Sequence, residues 1–305
     1  MPHALVTGAS GFAGPFLIQH LLKEGYEVTG AVHGPDKKLP GECHAVSLDV
    51  TDARAVRRTV AELSPDEVYH LAGLTRPASG AVGEFYAVNF GGALNLLEAA
   101  REEAPEIGIL LVGSAYAYGR VDRPIAESEP LNPTNHYGVS KAAADMLGHS
   151  YALQGLRVVG VRPFNHSGPG QSPDFLLPTL VEQFAEIKAG RREPSVKLGN
   201  LDSVRDLSDV RDVVRAYVLA LRKGNPGEAY NVGSGRGIPV RELFEMVRRQ
   251  AGVEVELIVE PSRVRAGDIP YLVADINKTG KELGWRPTMP LERTVREMLE
   301  AAGAV

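Results

Sequence analysis

Cysteine is nearly absent from the chain. The one residue, Cys43, excludes an intrachain disulfide and a multi-cysteine metal site. Positive charge is not in excess: 33 Lys and Arg face 38 Asp and Glu, a formal net charge of −5. A broad electrostatic grip on nucleic acid is therefore excluded. No apolar run approaches the roughly 20 residues that cross a bilayer, so no membrane partner is expected. Met1, Pro2 and His3 lead directly into an apolar stretch, without the pattern of a cleavable signal. Internal repeats, low-complexity tracts and long linkers are missing as well. What is present is a globular composition, 44% hydrophobic and 23% charged, over 305 residues. That suits one large domain or two unequal ones and excludes a largely disordered chain. The expected location is the cytoplasm.

The first half alternates short β-branched runs with longer helical patterns. Strands are expected at 4–7, 27–32, 44–47, 67–71, 107–112 and 157–162, with helices at 13–23, 52–63, 93–104 and 137–154. Such alternation predicts a parallel sheet covered on both faces, and right-handed crossovers make it a doubly wound, Rossmann-type α/β fold. After residue 162 the pattern changes. Residues 167–173 (SGPGQSP) read as a loop. Helices follow at 175–189, 210–222, 240–252 and 291–302, with strands at 229–232 and 255–259. The expected division is a dinucleotide-binding domain, 1–164 with 208–233, and a smaller mixed α/β lobe, 165–207 with 234–305.

Gly8, Gly11 and Gly14 follow the first strand with spacing G-x-x-G-x-x-G, and Pro15 stands in the first turn of the next helix. Glycine lets backbone N–H groups and a helix N-terminus approach a pair of phosphates, so the segment predicts a dinucleotide site. An NAD site of this kind has an acid at the tip of the second strand. Here that tip is Val32, His33 and Gly34, followed by Asp36, Lys37 and Lys38. His33 would not repel a 2′-phosphate and the lysines would attract one, which favours NADP(H) over NAD(H). A solvated loop explains the lysines equally well. Asp49, after the third strand, could accept from an adenine amino group; a helix-start role near Thr51 and Asp52 is the competing explanation.

Tyr137 and Lys141 lie four apart at the start of a helical run, in Y-G-V-S-K. Residues i and i+4 share a helix face, so an ammonium beside the phenol would favour phenolate and make Tyr137 an acid/base. Ser114 follows the strand at 107–112, on the edge where open α/β sheets bind ligands, and its hydroxyl could donate to the same substrate oxygen. Each alone has a plain reading, a surface pair and a strand-end turn. The three together, in this order, read as catalytic.

With these motifs assembled, the chain resembles the extended short-chain dehydrogenase/reductase family, in its nucleotide-sugar branch. The resemblance rests on V-T-G-A-S-G-F-A-G at 6–14, H-L-A-G at 70–73, V-N-F-G-G at 88–92, Ser114, Y-G-V-S-K at 137–141 and R-P-F-N at 162–165. It implies that Gly8, Gly11, Phe12 and Gly14 hold the pyrophosphate and that Asp49 and Val50 meet the adenine. Leu71, Ala72, Gly73 and Asn89 would line the cofactor path. Tyr137 would be the acid/base, and Lys141 would also hold the nicotinamide ribose. A homodimer is implied, packed through the helices near 93–104 and 137–154.

In the second half, F-N-H-S-G-P-G-Q-S at 164–172, L-G-N-L-D-S-V-R-D at 198–206 and V-R-A-G-D-I-P at 264–270 resemble the GDP-hexose enzymes of that branch. By this resemblance Asn165 and Leu176 lie along the sugar nucleotide. Arg205 and Arg265 grip the diphosphate, which a planar guanidinium suits, and Asp268 accepts from ribose or base. An ion pair with Asp206 or Asp209 is the plain alternative for Arg205. Elimination of a C6 hydroxyl needs an acid/base beside Ser114. The segment Ala115, Tyr116, Ala117 has no carboxylate, which counts against a 4,6-dehydratase. The expected reaction is NAD(P)H-dependent reduction of the 4-keto group of a GDP-4-keto-6-deoxyhexose. A nucleotide-sugar 4-epimerase with bound NAD is the alternative, and a dinucleotide-binding sensor without catalysis a more distant one.

Overall fold

The computed structural model describes residues 1–34, 38–76, 78–260, 262 and 269–305. The strands in chain order begin with β1 (His3–Thr7), β2 (Glu27–Val32), β3 (His44–Ser47), β4 (Glu67–His70), β5 (Gly108–Val112) and β6 (Arg157–Pro163). The short β7 (Asn165–Ser167), β8 (Ser195–Leu198) and β9 (Val204–Asp209) lead to β10 (Ala229–Val232). Last come β11 (Gly237–Pro239), β12 (Glu256–Val259) and β13 (Tyr271–Leu272). The helices are α1 (Gly14–Lys23), α2 (Ala53–Leu63), α3 (Gly83–Phe85), α4 (Gly92–Glu103) and α5 (His136–Leu153). They continue as α6 (Leu176–Lys188), α7 (Val210–Lys223), α8 (Val240–Ala251), α9 (Asn277–Leu283) and α10 (Leu291–Ala301).

Seven strands form one parallel sheet in the order β3-β2-β1-β4-β5-β6-β10. This is the doubly wound fold expected from the strand–helix alternation. β5 is apolar throughout, and β4 is buried along its whole length although it carries Glu67 and His70, because both of their faces are covered. On one face, Leu17, Ile18 and Leu21 of α1 meet Val213, Val214 and Tyr217 of α7. On the other, Val56 and Val60 of α2 meet Leu96 and Leu97 of α4. Each such fully buried side chain contributes about 1.5–3 kcal/mol of transfer free energy. Strand order reverses between β1 and β4, which opens a ligand crevice at their C-terminal ends.

A second core joins Leu180 and Phe184 of α6, Leu243 and Phe244 of α8, and Leu299 of α10. β9 is the hub of the second sheet, pairing β7, β11 and β13 along its length. The sequence pattern did not predict this strand, because Val204–Asp209 carries three charged residues. Asp206 is nonetheless fully buried, since Ser234, Gly235 and Ala274 donate to its carboxylate. Residues 208–209, placed from sequence in the first domain, belong to this strand. α9 was also unforeseen. Leu283 and Trp285, assigned from sequence to the second lobe, are buried in the core of the seven-stranded sheet. Trp285 Nε1 donates to the Asp212 carbonyl of α7 at 3.0 Å.

Candidate active site

The chain turns sharply at the end of β1. Gly8 sits at φ +67°, and a Cβ there would lie 2.7 Å from the Ala72 nitrogen. A Cβ on Gly14 would lie 2.3 Å from the Ala9 carbonyl oxygen. These two glycines are required by the fit of the turn against its own protein, a more local reason than room for phosphate. Gly11 is exposed at the tip. No side chain caps α1, since Ala13 holds the N-cap position and Pro15 follows. Gly14 N–H turns back to the Gly11 carbonyl at 3.2 Å and Pro15 has none. A helix start with no side chain over it, behind the exposed Gly11, still suits a dinucleotide pyrophosphate. Phe12 stacks on His166 of β7, centroids 6.0 Å apart and planes at 13°, which brings the second sheet over the glycine turn. His166 lies within the quoted F-N-H-S-G motif, yet sequence reasoning gave it no role.

At the far end of the crevice, His33 follows β2 and Asp49 follows β3, its neighbour in the sheet. The Asp49 carboxyl lies below its usual range. Thr51 is the main reason, donating its N–H (2.9 Å) and hydroxyl (2.8 Å) to Oδ1, and His33 adds a smaller effect. Asp52 is the residue that caps α2. Val50 is packed against Gly92, and its carbonyl accepts from Asn95 at 2.9 Å. Asp36 and Lys37 lie outside the described residues.

Leu71, Ala72 and Gly73 follow β4; Leu71 and Ala72 press on the glycine turn at Gly8, Gly73 lies against Asn89 and Lys141, and Ala72 N–H donates to Thr7 Oγ1 at 3.2 Å. Asn89 lies in a π-helical turn, Tyr86–Gly91, ahead of α4. Its amide is engaged within the protein. Oδ1 accepts from Leu74 N (2.7 Å), while Nδ2 donates to Leu74 O (3.0 Å) and to Ser140 Oγ (2.9 Å). Asn89 therefore ties the 71–74 loop to α5.

Ser114 ends the β5 segment, and its Oγ accepts from Tyr116 N at 3.2 Å. Asn135 caps α5 through Gly138 N (2.8 Å), and a Cβ on Gly138 would fall 2.6 Å from the Tyr116 carbonyl. The first turn of α5 thus lies directly on the Ser114–Tyr116 turn. Tyr137 is wedged between Phe85 and Tyr116, at centroid distances of 6.1 and 6.0 Å. Burial raises the Tyr137 pKa; a hydrogen bond with Ser114 draws it back and Tyr116 raises it further. Lys141 exerts no such pull here. Its ammonium donates to the Val112 carbonyl at 2.8 Å and lies against Gly73. Burial lowers the Lys141 pKa to about 8.

In the second sheet, Asn165 opens β7 and pairs with Leu207 of β9. Leu176 opens α6 and packs on the second core. Arg205 is buried in β9, its Nη1 donating to the Val204 carbonyl at 3.0 Å. Asp209 is engaged by Arg211 and Thr294, and Asp206 by the 234–235 turn and Ala274. Arg265 and Asp268 lie outside the described residues.

The glycine turn after β1, Ser114 after β5, and Tyr137 and Lys141 in the first turns of α5 thus lie at the C-terminal side of the parallel sheet. The family model for GDP-mannose 4,6 dehydratase matches residues 5–298. The chain belongs to this family. Its relatives include GDP-6-deoxy-D-mannose reductase of Pseudomonas aeruginosa, 34% identical over 96% of this chain and 95% of that one. UDP-glucose 4-epimerase of Streptomyces lividans is likewise 34% identical, over 93% and 91%. The solved structure of RMD from Pseudomonas aeruginosa complexed with NADPH superposes with a TM-score of 0.85, at 31% identity and 99% coverage of both chains. As a member of the family, the protein is an NAD(P)-dependent enzyme of the extended short-chain dehydrogenase/reductase type that modifies nucleotide sugars. That sets aside the sensor without catalysis. No helix among the described residues is long and apolar enough to cross a membrane.

Proposed function

We propose that the protein reduces the 4-keto group of a GDP-4-keto-6-deoxyhexose, with NADP(H) preferred over NAD(H). The observation that carries this reading is the turn beside the Ser114–Tyr137 pair. It presents Ala115, Tyr116 and Ala117, and the ring at 116 meets Tyr137 edge-on at 67°. A family member built for 4,6-elimination needs a carboxyl group there to move a proton at C5 and C6. A reductase needs none.

In this reading the substrate's keto oxygen lies between the Ser114 hydroxyl and the Tyr137 phenol. When bound, the reduced nicotinamide supplies a hydride. Ser114 orients the oxygen and donates a hydrogen bond as negative charge develops on it. Tyr137 gives up its phenolic proton. Lys141, rotated from Val112 toward the bound ribose, holds that ribose and brings its positive charge near the phenol. Gly8, Gly11, Phe12 and Gly14 carry the pyrophosphate, His33 and Asp49 the adenosine end, and Asn165, Leu176, Arg205, Arg265 and Asp268 the sugar nucleotide. The missing acid at the β2 tip favours a cofactor with a 2′-phosphate, and the relative solved with NADPH supports that choice.

The reading is tested with NADPH and GDP-4-keto-6-deoxymannose generated in place by a separate dehydratase, with NADH and GDP-mannose as parallel arms. Consumption of NADPH that depends on the keto sugar is expected. If none occurs, the reading falls. The similarity to UDP-glucose 4-epimerase then supports the second reading, a redox-neutral 4-epimerase, whose mark is NAD that copurifies with the protein.

The active form in this reading is a homodimer joined through α4 and α5. α5 exposes Val139, Met146 and Leu153 at 38, 65 and 77%, seven residues apart along one stripe. A lone exposed apolar residue is ordinary, but a stripe at this spacing suits a helix bundle.

A further inference from the structure

His70 is the last residue of β4 and is buried, yet only one of its ring nitrogens is used. Nδ1 lies 2.8 Å from Thr7 Oγ1. Nε2 has no hydrogen-bond partner among the described residues. An orphaned buried polar atom of this kind costs roughly 1–3 kcal/mol unless something fills the gap. The imidazole borders a cavity of about 20 Å³, shared with Asn89, Val112, Gly113, Lys141 and Asp145. That volume admits a single water, and a buried water needs two to four polar partners.

The surrounding groups decide which partners are open. The Asn89 amide nitrogen has spent both hydrogens, on Leu74 O and Ser140 Oγ, while its oxygen accepts from Leu74 N and has a second lone pair. Asp145 is held by Arg162 at 2.8 and 2.9 Å. The Lys141 ammonium spends one of its three hydrogens on Val112 and keeps two. Thr7 Oγ1 already accepts from Ala72 N. Thr7 Oγ1 and His70 Nδ1 share one hydrogen; with Nδ1 as its donor, Nε2 keeps a lone pair beside the cavity that His70 and Lys141 both line. Burial and the Lys141 charge hold His70 neutral, its pKa lowered to about 3, so the lone pair persists at ordinary pH.

We propose that His70 and Lys141 hold one buried water between them, and that His70 is thereby a positioning residue that keeps the Lys141 ammonium protonated. Lys141 donates to the water, and the water donates to His70 Nε2. The inference rests on the reading of Lys141 as part of the active site, but its test needs no substrate. Beyond His70, Lys141 and the Asp145–Arg162 pair, His149 and Glu228 are the titratable groups that border the cavity, at its outer end.

His70→Asn keeps an atom near Nδ1 for Thr7 and loses the one near Nε2. His70→Gln places an amide where Nε2 was. The Lys141 ammonium is followed by NMR titration of the lysine ε-carbons in the cofactor-free protein, with Lys141→Arg giving the assignment. His70→Asn is expected to lower the Lys141 midpoint by about one pH unit, the scale of one hydrogen bond to a charged group, and His70→Gln to restore it. An unchanged midpoint in a folded His70→Asn protein overturns the proposal. If His70→Asn does not fold, the decision passes to a high-resolution structure of the unaltered protein. A water within 3.2 Å of both nitrogens, the usual hydrogen-bond limit, upholds the proposal, and a dry cavity overturns it. Loss of activity toward every keto sugar would overturn the proposed function and leave this titration unaffected.

Discussion

Replacing Asp145 by alanine strands a buried cation under the helix that carries Tyr137 and Lys141. Asp145 grips Arg162 with both oxygens, and the two side chains are 9 and 10% exposed. Arg162 is fixed further by the Tyr118 hydroxyl at 2.9 Å and by the Tyr118 ring, 5.0 Å below its guanidinium. Tyr118 in turn donates to Asn231 at 2.7 Å. Removing one partner of a buried pair costs about 3–5 kcal/mol, because the remaining charge stays desolvated. Whole domains are stable by about 5–15 kcal/mol, so this single change removes a large share. Urea unfolding followed by circular dichroism and by the one tryptophan, Trp285, measures the loss at two places in the molecule. The double substitution Asp145→Leu with Arg162→Met removes both charges together. It is expected to cost less than Asp145→Ala alone. A loss below about 1 kcal/mol for Asp145→Ala, the level of an exposed pair, would refute the reasoning. So would a double variant that costs the sum of the two single changes.

Three further outcomes are expected. Tyr137→Phe should lower turnover by about 10²–10⁴-fold while NADPH still binds by fluorescence titration; near-normal turnover would remove Tyr137 from the proton-donor role. Lys141 titrates at about 8 when folded against 10.5 ordinarily, so between these values the unfolded chain binds the proton that the folded chain has released. Stability should therefore rise with pH across that window. Lys141→Met should abolish the rise and gain roughly 3 kcal/mol at pH 7, and denaturation midpoints at pH 7 and 10 check both. Met146→Glu with Leu153→Glu should yield monomers in light scattering, and a persistent dimer would move the interface elsewhere.

The first half was legible in the sequence because its inner strands are buried on both faces and its helices on one, and only β3, at the sheet edge, is largely exposed. β2 and β3 begin and end where the pattern put them, and α1 starts one residue after. The serine, tyrosine and lysine were legible because strand edge and helix start are both sequence signals. The second sheet was not, because β7, β11 and β13 are two or three residues long and β9 carries its charges inward. A charged strand becomes a buried one only through partners distant in sequence, such as Ser234 and Ala274 for Asp206. The committed Asn89 amide and the Val112 contact of Lys141 were invisible for the same reason. Tyr137 and Lys141 share a helix, but backbone carbonyls and loop packing decide where the ammonium points.

The return of the chain to its first core at Leu283 and Trp285 bears on how specificity can be exchanged between members of the family. Asp212, in the first turn of α7, accepts from Thr288 N and Met289 N at 2.7 Å each, so the strand of chain leading into α10 is fastened to a helix of the other half. A chimera that swaps everything after residue 233 would also swap the indole that fills this slot. A donor with a smaller residue at 285 would leave a hole whose cost, about 3–5 kcal/mol for loss of a buried aromatic, has nothing to do with substrate. Grafts should therefore keep the host's 277–289 and cut on either side of it. Poor expression of a naive chimera reports a broken joint in the scaffold, and says nothing about which sugar the new lobe accepts.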